Sequence, residues 1–422
     1  MLPSIRVPYW FGALQEREFA LLFLARTVSL FGSAITPIAL AFAVLRLTGS
    51  ASDLGFVLAA RVVPQILFLL VGGIWADRLP RHLVMVGSNI ANGVTQAATA
   101  ALLLAHSASV WQLAVLQAAN GAAFAFFLPA STGLVPQVVS AARLQQANAL
   151  LRISINGSQI GGAAIGGVLV ATIGASGALL VDTCTFFGSA ALLALMRLPR
   201  GQRLPARNFV VELREGWQAF RSRAWLSAMV AQVSLVNAAQ RGPFLVLGPV
   251  VAARHLGGAT AWGLILSAQA GGLFLGGVLG LRFRPQRPLL ACTWLVFALA
   301  LPLLALGLTL PTIAVAAAAV VSGVAIEVFG VLWDTTVQEQ VPADVLSRVS
   351  SYDQLGSFSL IPIALALAGP LASAVGVSAT LFGAAAIVVL ATAPILLLED
   401  VRAIRRSAPR PEAEAVAPLA SH

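Results

Sequence analysis

The chain has 422 residues, of which 59% are hydrophobic and 10% charged, with a mean hydropathy of +0.89. Soluble domains carry about 25% charged residues, so a soluble globular protein is excluded, and the apolar runs are too long for core helices and do not alternate by twos as a membrane barrel would. The net charge of +10 would suit nucleic acid in a soluble chain, so the position of the charges must decide its meaning.

A membrane span needs about 20 mostly apolar residues, and about twelve such stretches are predicted. They cover 18–45, 53–75, 82–105, 109–132, 148–173, 177–197, 225–250, 260–281, 288–309, 312–335, 352–373 and 376–398. Met1 to Arg17 lacks the basic, apolar, small order of a signal peptide, so the first span is expected to be retained. All 26 basic residues are arginines. With the N-terminus inside, Arg78, Arg81, Arg143, Arg282, Arg284, Arg287, Arg348 and the whole cluster from Arg197 to Arg223 fall on the cytoplasmic side, whereas Arg46 and Arg254 fall outside. The bias sets both termini in the cytoplasm of a plasma-membrane protein. The positive charge then meets anionic membrane lipids, and no nucleic acid is needed.

The longest loop, within 198–224, places Phe209, Val210, Leu213, Trp217 and Phe220 at helical spacing, which predicts an amphipathic helix on the inner surface. It divides the chain into an N-terminal six-helix half, 1–197, and a C-terminal six-helix half, 225–400. The Pro- and Ala-rich tail, 401–422, is expected to be disordered.

The loop after span two, Gly72-Gly73-Ile74-Trp75-Ala76-Asp77-Arg78-Leu79-Pro80-Arg81, recurs after span eight as Gly276-Gly277-Val278-Leu279-Gly280-Leu281-Arg282-Phe283-Arg284, with Leu281 where the first copy has Asp77. A second pair follows spans four and ten: Val135-Pro136 through Arg143, and Val341-Pro342 through Arg348. Repeated polar loops at nearly one offset predict parallel duplicated halves around a central cavity.

Gly-x-x-x-Asp-Arg-x-x-Arg at the membrane edge resembles the loop between the second and third helices of major facilitator superfamily transporters. Ala59-Ala60-Arg61-Val62-Val63-Pro64, Gln146-Ala147-Asn148-Ala149-Leu150 and Gly162-Ala163-Ala164-Ile165-Gly166-Gly167 look like the branch containing macrolide efflux proteins and the enterobactin exporter. The resemblance implies export of small, often amphipathic molecules in exchange for protons by alternating access. It also implies that Gly73, Asp77, Arg78 and Arg81 form a conformational latch, with Asp353 and its neighbours at the start of the eleventh helix as partner. The alternative is that these charges only fix topology. Pro80 and His82 depart from the family pattern, as does Ala163, which stands where drug–proton antiporters have a proline. Gly157, Gly161, Gly162, Gly166 and Gly167 would let another helix approach closely.

Ionisable groups within spans are costly and therefore candidates for function. Glu327, in span ten, is the first candidate to carry a proton; Arg26, Arg61 and Arg241 are candidate cavity charges. Each arginine either pairs with an acid, binds an anionic substrate, or snorkels to the surface. Asp182 joins this set, although a boundary or helix-end contact is the expected place for it and for Asp334. Gln65, Asn120, Gln159, Asn237 and Gln240, with Gln96, Gln117, Asn156 and Gln269, supply polar points for a cavity or bonds between helices.

Cys184 and Cys292 sit in different spans, and His82, His106, His255 and His422 are scattered, so neither a disulfide framework, a metal site nor a catalytic cluster is expected. No Gly-x-x-x-x-Gly-Lys loop is present, which argues against ATP-driven pumping. The sequence therefore reads as an all-α integral membrane transporter, not an enzyme, expected to need no cofactor and to act as a monomer. Uptake, movement of a lipid-like substrate, and a sensor without transport remain the alternatives.

Overall fold

The computed structural model describes residues 9–140, 143–197, 217, 218 and 220–405, and its regular structure is helical throughout. The long helices are α1 (Arg17–Thr48), α2 (Ala51–Arg78), α3 (Arg81–Leu104), α4 (Val110–Val138) and α5 (Leu144–Ala194). They continue with α6 (Ala224–Val251), α7 (Ala259–Arg282), α8 (Pro288–Val296), α9 (Leu301–Gly307), α10 (Thr312–Gln340), α11 (Ala343–Phe358), α12 (Ile361–Val375) and α13 (Val377–Thr392). A short α14 (Glu399–Ala403) closes the described chain.

Local chemistry sets the breaks. α1 ends where Gly49 turns left-handed at φ 69° and its N–H reaches the Leu45 carbonyl. α4 begins with a capping box between Ser109 and Gln112. α5 is two limbs, 144–173 and 175–194, hinged at Gly174 with φ 78° and ψ 172°. α12 and α13 are separated in the same way by Gly376, with φ 92° and ψ 154°. That backbone region is open to glycine almost alone, and the same device appears twice, about 200 residues apart, where adjoining predicted spans meet. The ninth predicted span is broken between α8 and α9 by a 3₁₀ turn, Phe297–Ala300. Pro302 follows it and has no N–H for the Ala298 carbonyl. Pro362 interrupts the eleventh likewise between α11 and α12.

Among the described residues, nine helical stretches have the length and hydropathy to cross a membrane. α3 and α6 fall short because their interiors carry Asn89, Asn92 and Gln96, and Gln232, Asn237, Gln240 and Arg241 respectively. α1 to α5 pack on one another, α6 to α13 pack on one another, and the two groups meet mainly through α5 with α7 and α2 with α12.

These cross-group contacts use bare backbone. A Cβ on Gly167 would lie 2.7 Å from the Ala259 carbonyl oxygen and 3.0 Å from the Gly263 Cα. One on Gly369 would overlap the Ser52 backbone. Ser267 Oγ adds a 2.9 Å hydrogen bond to the Ile160 carbonyl. The Gly167 and Gly369 contacts lie toward the end of the molecule that carries Gly49 and Gly257, the latter turning at φ 100° between α6 and α7.

The tail departs from expectation at its start. Val401 is fully buried in the apolar cluster of Leu226, Trp333 and Ile395, so 401–405 belong to the fold because an apolar side chain there finds a core. Residues 406–422 lie outside the described residues, as do Phe209, Val210 and Leu213 of the linker. Its final turn is described: Trp217 and Phe220 seat against Tyr352 of α11, with ring centroids 5.4 and 6.2 Å away.

Candidate functional site

A cavity of about 550 Å³ opens within the second helix group, lined among the described residues by α6, α8, α10, α11 and the 3₁₀ turn between α8 and α9. Its wall is aromatic with a few convergent polar groups. Arg241 lies with its guanidinium carbon 5.3 Å from the centre of the Phe358 ring, a cation–π arrangement. Trp333 stacks on Phe329 with centroids 6.2 Å apart. Its indole Nε1 donates to Asp353 Oδ2 at 2.8 Å, and Ser357 Oγ donates to Asp353 Oδ1 at 3.2 Å. Asn237 Nδ2 donates to the Ser357 carbonyl at 3.0 Å. Asp334 stands at the rim, within electrostatic reach of Arg152 on α5 of the other group. Such a cavity can take a drug-sized body against its rings while two carboxylates and one guanidinium orient its polar ends.

The expected site residues are thus divided. Arg241, Asn237 and Asp353 meet at this cavity; Trp333 and Phe358 complete it. Asp353 is occupied by the indole and hydroxyl donors just described. The side chains of Gly73, Asp77 and Arg78 lie outside the described residues. Arg81 donates to the Gly133 carbonyl of α4, tying the start of α3 to a neighbouring helix.

Glu327 is half-buried and does not line the cavity. Its side chain leans on the α7 backbone, where a Cβ on Gly276 would lie 2.9 Å from the Glu327 Cβ. Among the polar candidates, Asn120 and Gln240 are buried between helices rather than set on the cavity wall, Gln65 is half-buried, and Gln159 is exposed. Burial between helices is the ordinary outcome for an amide in lipid, where a neighbouring helix supplies its hydrogen bonds.

The glycine series also divides. Gly162 approaches the Phe31 carbonyl and Ala34 of α1, Gly166 approaches Ile35, Gly161 approaches the Phe31 ring, and Gly167 faces α7. Gly157 has nothing within 4 Å, so it makes no close approach in this arrangement.

Asp182 departs most from expectation. It is a fully buried residue of the second limb of α5, not a helix-end contact. Oδ2 accepts from Thr36 Oγ1 at 2.5 Å and from Gln96 Nε2 at 2.9 Å, while Thr185 Oγ1 lies 3.3 Å from Oδ1. Gly32 makes room for it: a Cβ there would overlap Asp182 Oδ1. Arg61 of α2 acts on it electrostatically. Hydrogen bonds between membrane helices average about 0.6 kcal/mol each, so the two from Thr36 and Gln96 supply about 1 kcal/mol, Thr185 being on α5 itself. An aspartate at mid-membrane costs at least about 2.5 kcal/mol. These hydrogen bonds alone fall short of that cost, and the charge of Arg61 acts in the same direction as they do. Thr36 and Asn92 carry no charge and escaped the sequence reading. The signal for Asn92 was the spacing of Asn89, Asn92 and Gln96 along one face of α3, whereas Thr36 on α1 left none. Arg26 is also buried, with its Nε lacking a hydrogen-bond partner among the described residues.

The family model described as Major Facilitator Superfamily matches residues 22–361. The chain belongs to the major facilitator superfamily. Among curated proteins, the multidrug efflux pump Tap of Mycolicibacterium fortuitum is 27% identical over 368 residues, covering 83% of this chain and 88% of that protein. Macrolide efflux protein A of Streptococcus pyogenes is 24% identical over 370 residues, covering 86% and 91%. Among solved structures, a bacterial homologue of the human lysosomal transporter Spinster, inward-facing and unoccupied, superposes with a TM-score of 0.65 at 18% identity, covering 92% of this chain and 97% of that one. The nucleoside transporter NupG superposes with a TM-score of 0.69 at 14% identity, covering 91% and 98%. These last two establish the fold. As a superfamily member the chain is a multi-span membrane transporter of small molecules, with efflux pumps among its relatives.

Proposed function

We propose that this transporter exports a small amphipathic, drug-like or natural-product molecule in exchange for protons, by alternating access between two duplicated six-helix halves. The observation that carries the reading is the cavity of Arg241, Phe358, Trp333 and Asp353, whose rings and sparse charges suit an amphipathic ligand. The arginine bias assigns the Arg78 end to the cytoplasm, so the groups close at the outer end and the rim with Asp334 faces inward. An inward-open cavity is where an exporter loads its substrate. The latch remains part of the proposal, moved from Asp353, which lies inside α11, to the helix N-terminus at Ala343: Asp77 would meet the amides and dipole there when the inner side closes.

The deciding experiment compares cells with and without the protein against a panel of lipophilic compounds, then follows a responding compound in inverted vesicles. Accumulation that rises with an imposed acidic interior and collapses with a protonophore is expected. Accumulation indifferent to the gradient would refute proton exchange; movement in the opposite sense would make the protein an importer.

A further inference from the structure

We propose that the proton is carried by Asp182, through a water-bearing polar column inside the first helix group, and not by Glu327. This deepens the proton-exchange reading and rests on it. The column runs along one face of α3. Asn89 Nδ2 donates to Ser189 Oγ at 2.7 Å, Asn120 Nδ2 to Thr95 Oγ1 at 3.2 Å, and Gln117 Nε2 to Gln96 Oε1 at 3.4 Å, while Gln96 reaches Asp182. At a rise of about 1.5 Å per residue the stretch from Asn89 to Gln96 extends about 10 Å along the membrane normal.

The amides along it are not fully used. Both amide atoms of Asn92 lack a hydrogen-bond partner among the described residues, as do Gln117 Oε1 and Asn120 Oδ1. All three residues are at most 1% exposed. Buried polar groups are almost always satisfied, and ordered water is the partner that fits between amides of neighbouring helices. A chain of such waters would connect Asp182 with the Asn89 level.

The surroundings of Asp182 suit a group that gains and loses a proton. α1 presents Thr36 and α3 presents Gln96, both neutral; the charge that acts on it is Arg61 of α2, with no ion pair within 4 Å among the described residues. When the carboxylate accepts a proton from a hydronium in the water chain, one O–H bond forms on Asp182, one breaks in the hydronium, and a neutral water is left behind. The Thr36 hydroxyl, which donates to the anion, turns to accept from the new O–H, while Gln96 continues to donate. Arg61 then loses its neutralising partner; release of the proton restores it. Glu327, half-buried against Gly276 and Gly277, has no comparable set of donors among the described residues.

The test uses purified full-length protein and the vesicle assay. Infrared difference spectra on pH titration should show a buried carboxyl band that is absent from Asp182→Asn and retained in Glu327→Gln. In inverted vesicles loaded with erythromycin or ethidium, Asp182→Asn should reduce gradient-driven accumulation to the level of vesicles without the protein, while exchange of labelled for unlabelled compound without a gradient continues. Because Asn keeps the volume and hydrogen bonds of protonated Asp, exchange doubles as the folding control. Arg61→Gln should leave the band present and move its midpoint. A band that survives Asp182→Asn, or unchanged gradient-driven accumulation in that variant, overturns the assignment while proton exchange stands. Wild-type accumulation indifferent to the gradient overturns proton exchange itself.

Discussion

Gly167→Ala is the smallest change that should alter the balance between the two openings. The new Cβ would lie 2.7 Å from the Ala259 carbonyl oxygen and 3.0 Å from the Gly263 Cα, both backbone atoms that no rotamer change can withdraw. Overpacking of this kind costs about 1–3 kcal/mol. Since the contact belongs to the closed outer end, the cost falls on that state and shifts the closed-to-open ratio by about 5- to 150-fold. Spin labels at Ser107→Cys and Ile313→Cys, both exposed at the outer end of opposite helix groups, report the separation once Cys184 is replaced by alanine. A longer-distance population should appear in Gly167→Ala. An unchanged distance distribution would refute the inference that α5 and α7 form the outer seal, because backbone atoms cannot absorb the added methyl without moving apart.

Three further outcomes follow from the same geometry. Arg241→Ala removes the cation over Phe358 and should weaken binding of exported compounds by about 0.5–2 kcal/mol, read as growth inhibition at lower concentration with unchanged membrane level. Gly174→Ala forces a side chain into backbone space reserved for glycine and should destabilise the protein by about 1–3 kcal/mol, seen as a lowered unfolding temperature in detergent. Gly188→Ala, with nothing within 4 Å, is the neutral control for it. Asp77→Asn should reduce efflux while surface expression stays normal, and normal efflux would remove the latch.

Much of this was legible in the sequence because lipid simplifies the problem. Long apolar runs with arginine-rich edges admit little besides packed spanning helices, and the paired loops at Gly72 and Gly276 announced a repeat. The hinges were also near the surface of the text, since predicted spans met at Gly174 and Gly376. What the sequence could not give was rotation about each helix axis. Glu327 looked central because it is an acid among apolar neighbours, yet its side chain turns toward α7. Asp182 looked peripheral because it lies soon after a turn, yet Gly32 opens a space in α1 that admits it. A change of face by about 100° per residue decides between cavity, neighbour and lipid, and span-length hydropathy carries no phase that precise.

The two halves divide the labour unequally. Asp77 is matched by Leu281 in the repeated loop, and the position equally far past Gly376 as Asp182 is past Gly174 holds Ala384. These two acids belong to the first half, whereas the cavity is lined by the second. Exchange then requires the proton state of one half to be felt in the other. One mechanical route is α2, which carries Arg61 and presses its Gly55 against α12, where a Cβ would meet the Leu365 carbonyl oxygen. α12 continues directly from α11, the helix of Asp353 and Phe358. A contiguous route is only a reason to test for coupling. Gly55→Ala supplies the test: the carboxyl titration and ligand binding should each persist while gradient-driven accumulation falls. If that variant accumulates its substrate normally, coupling does not travel through the α2–α12 contact.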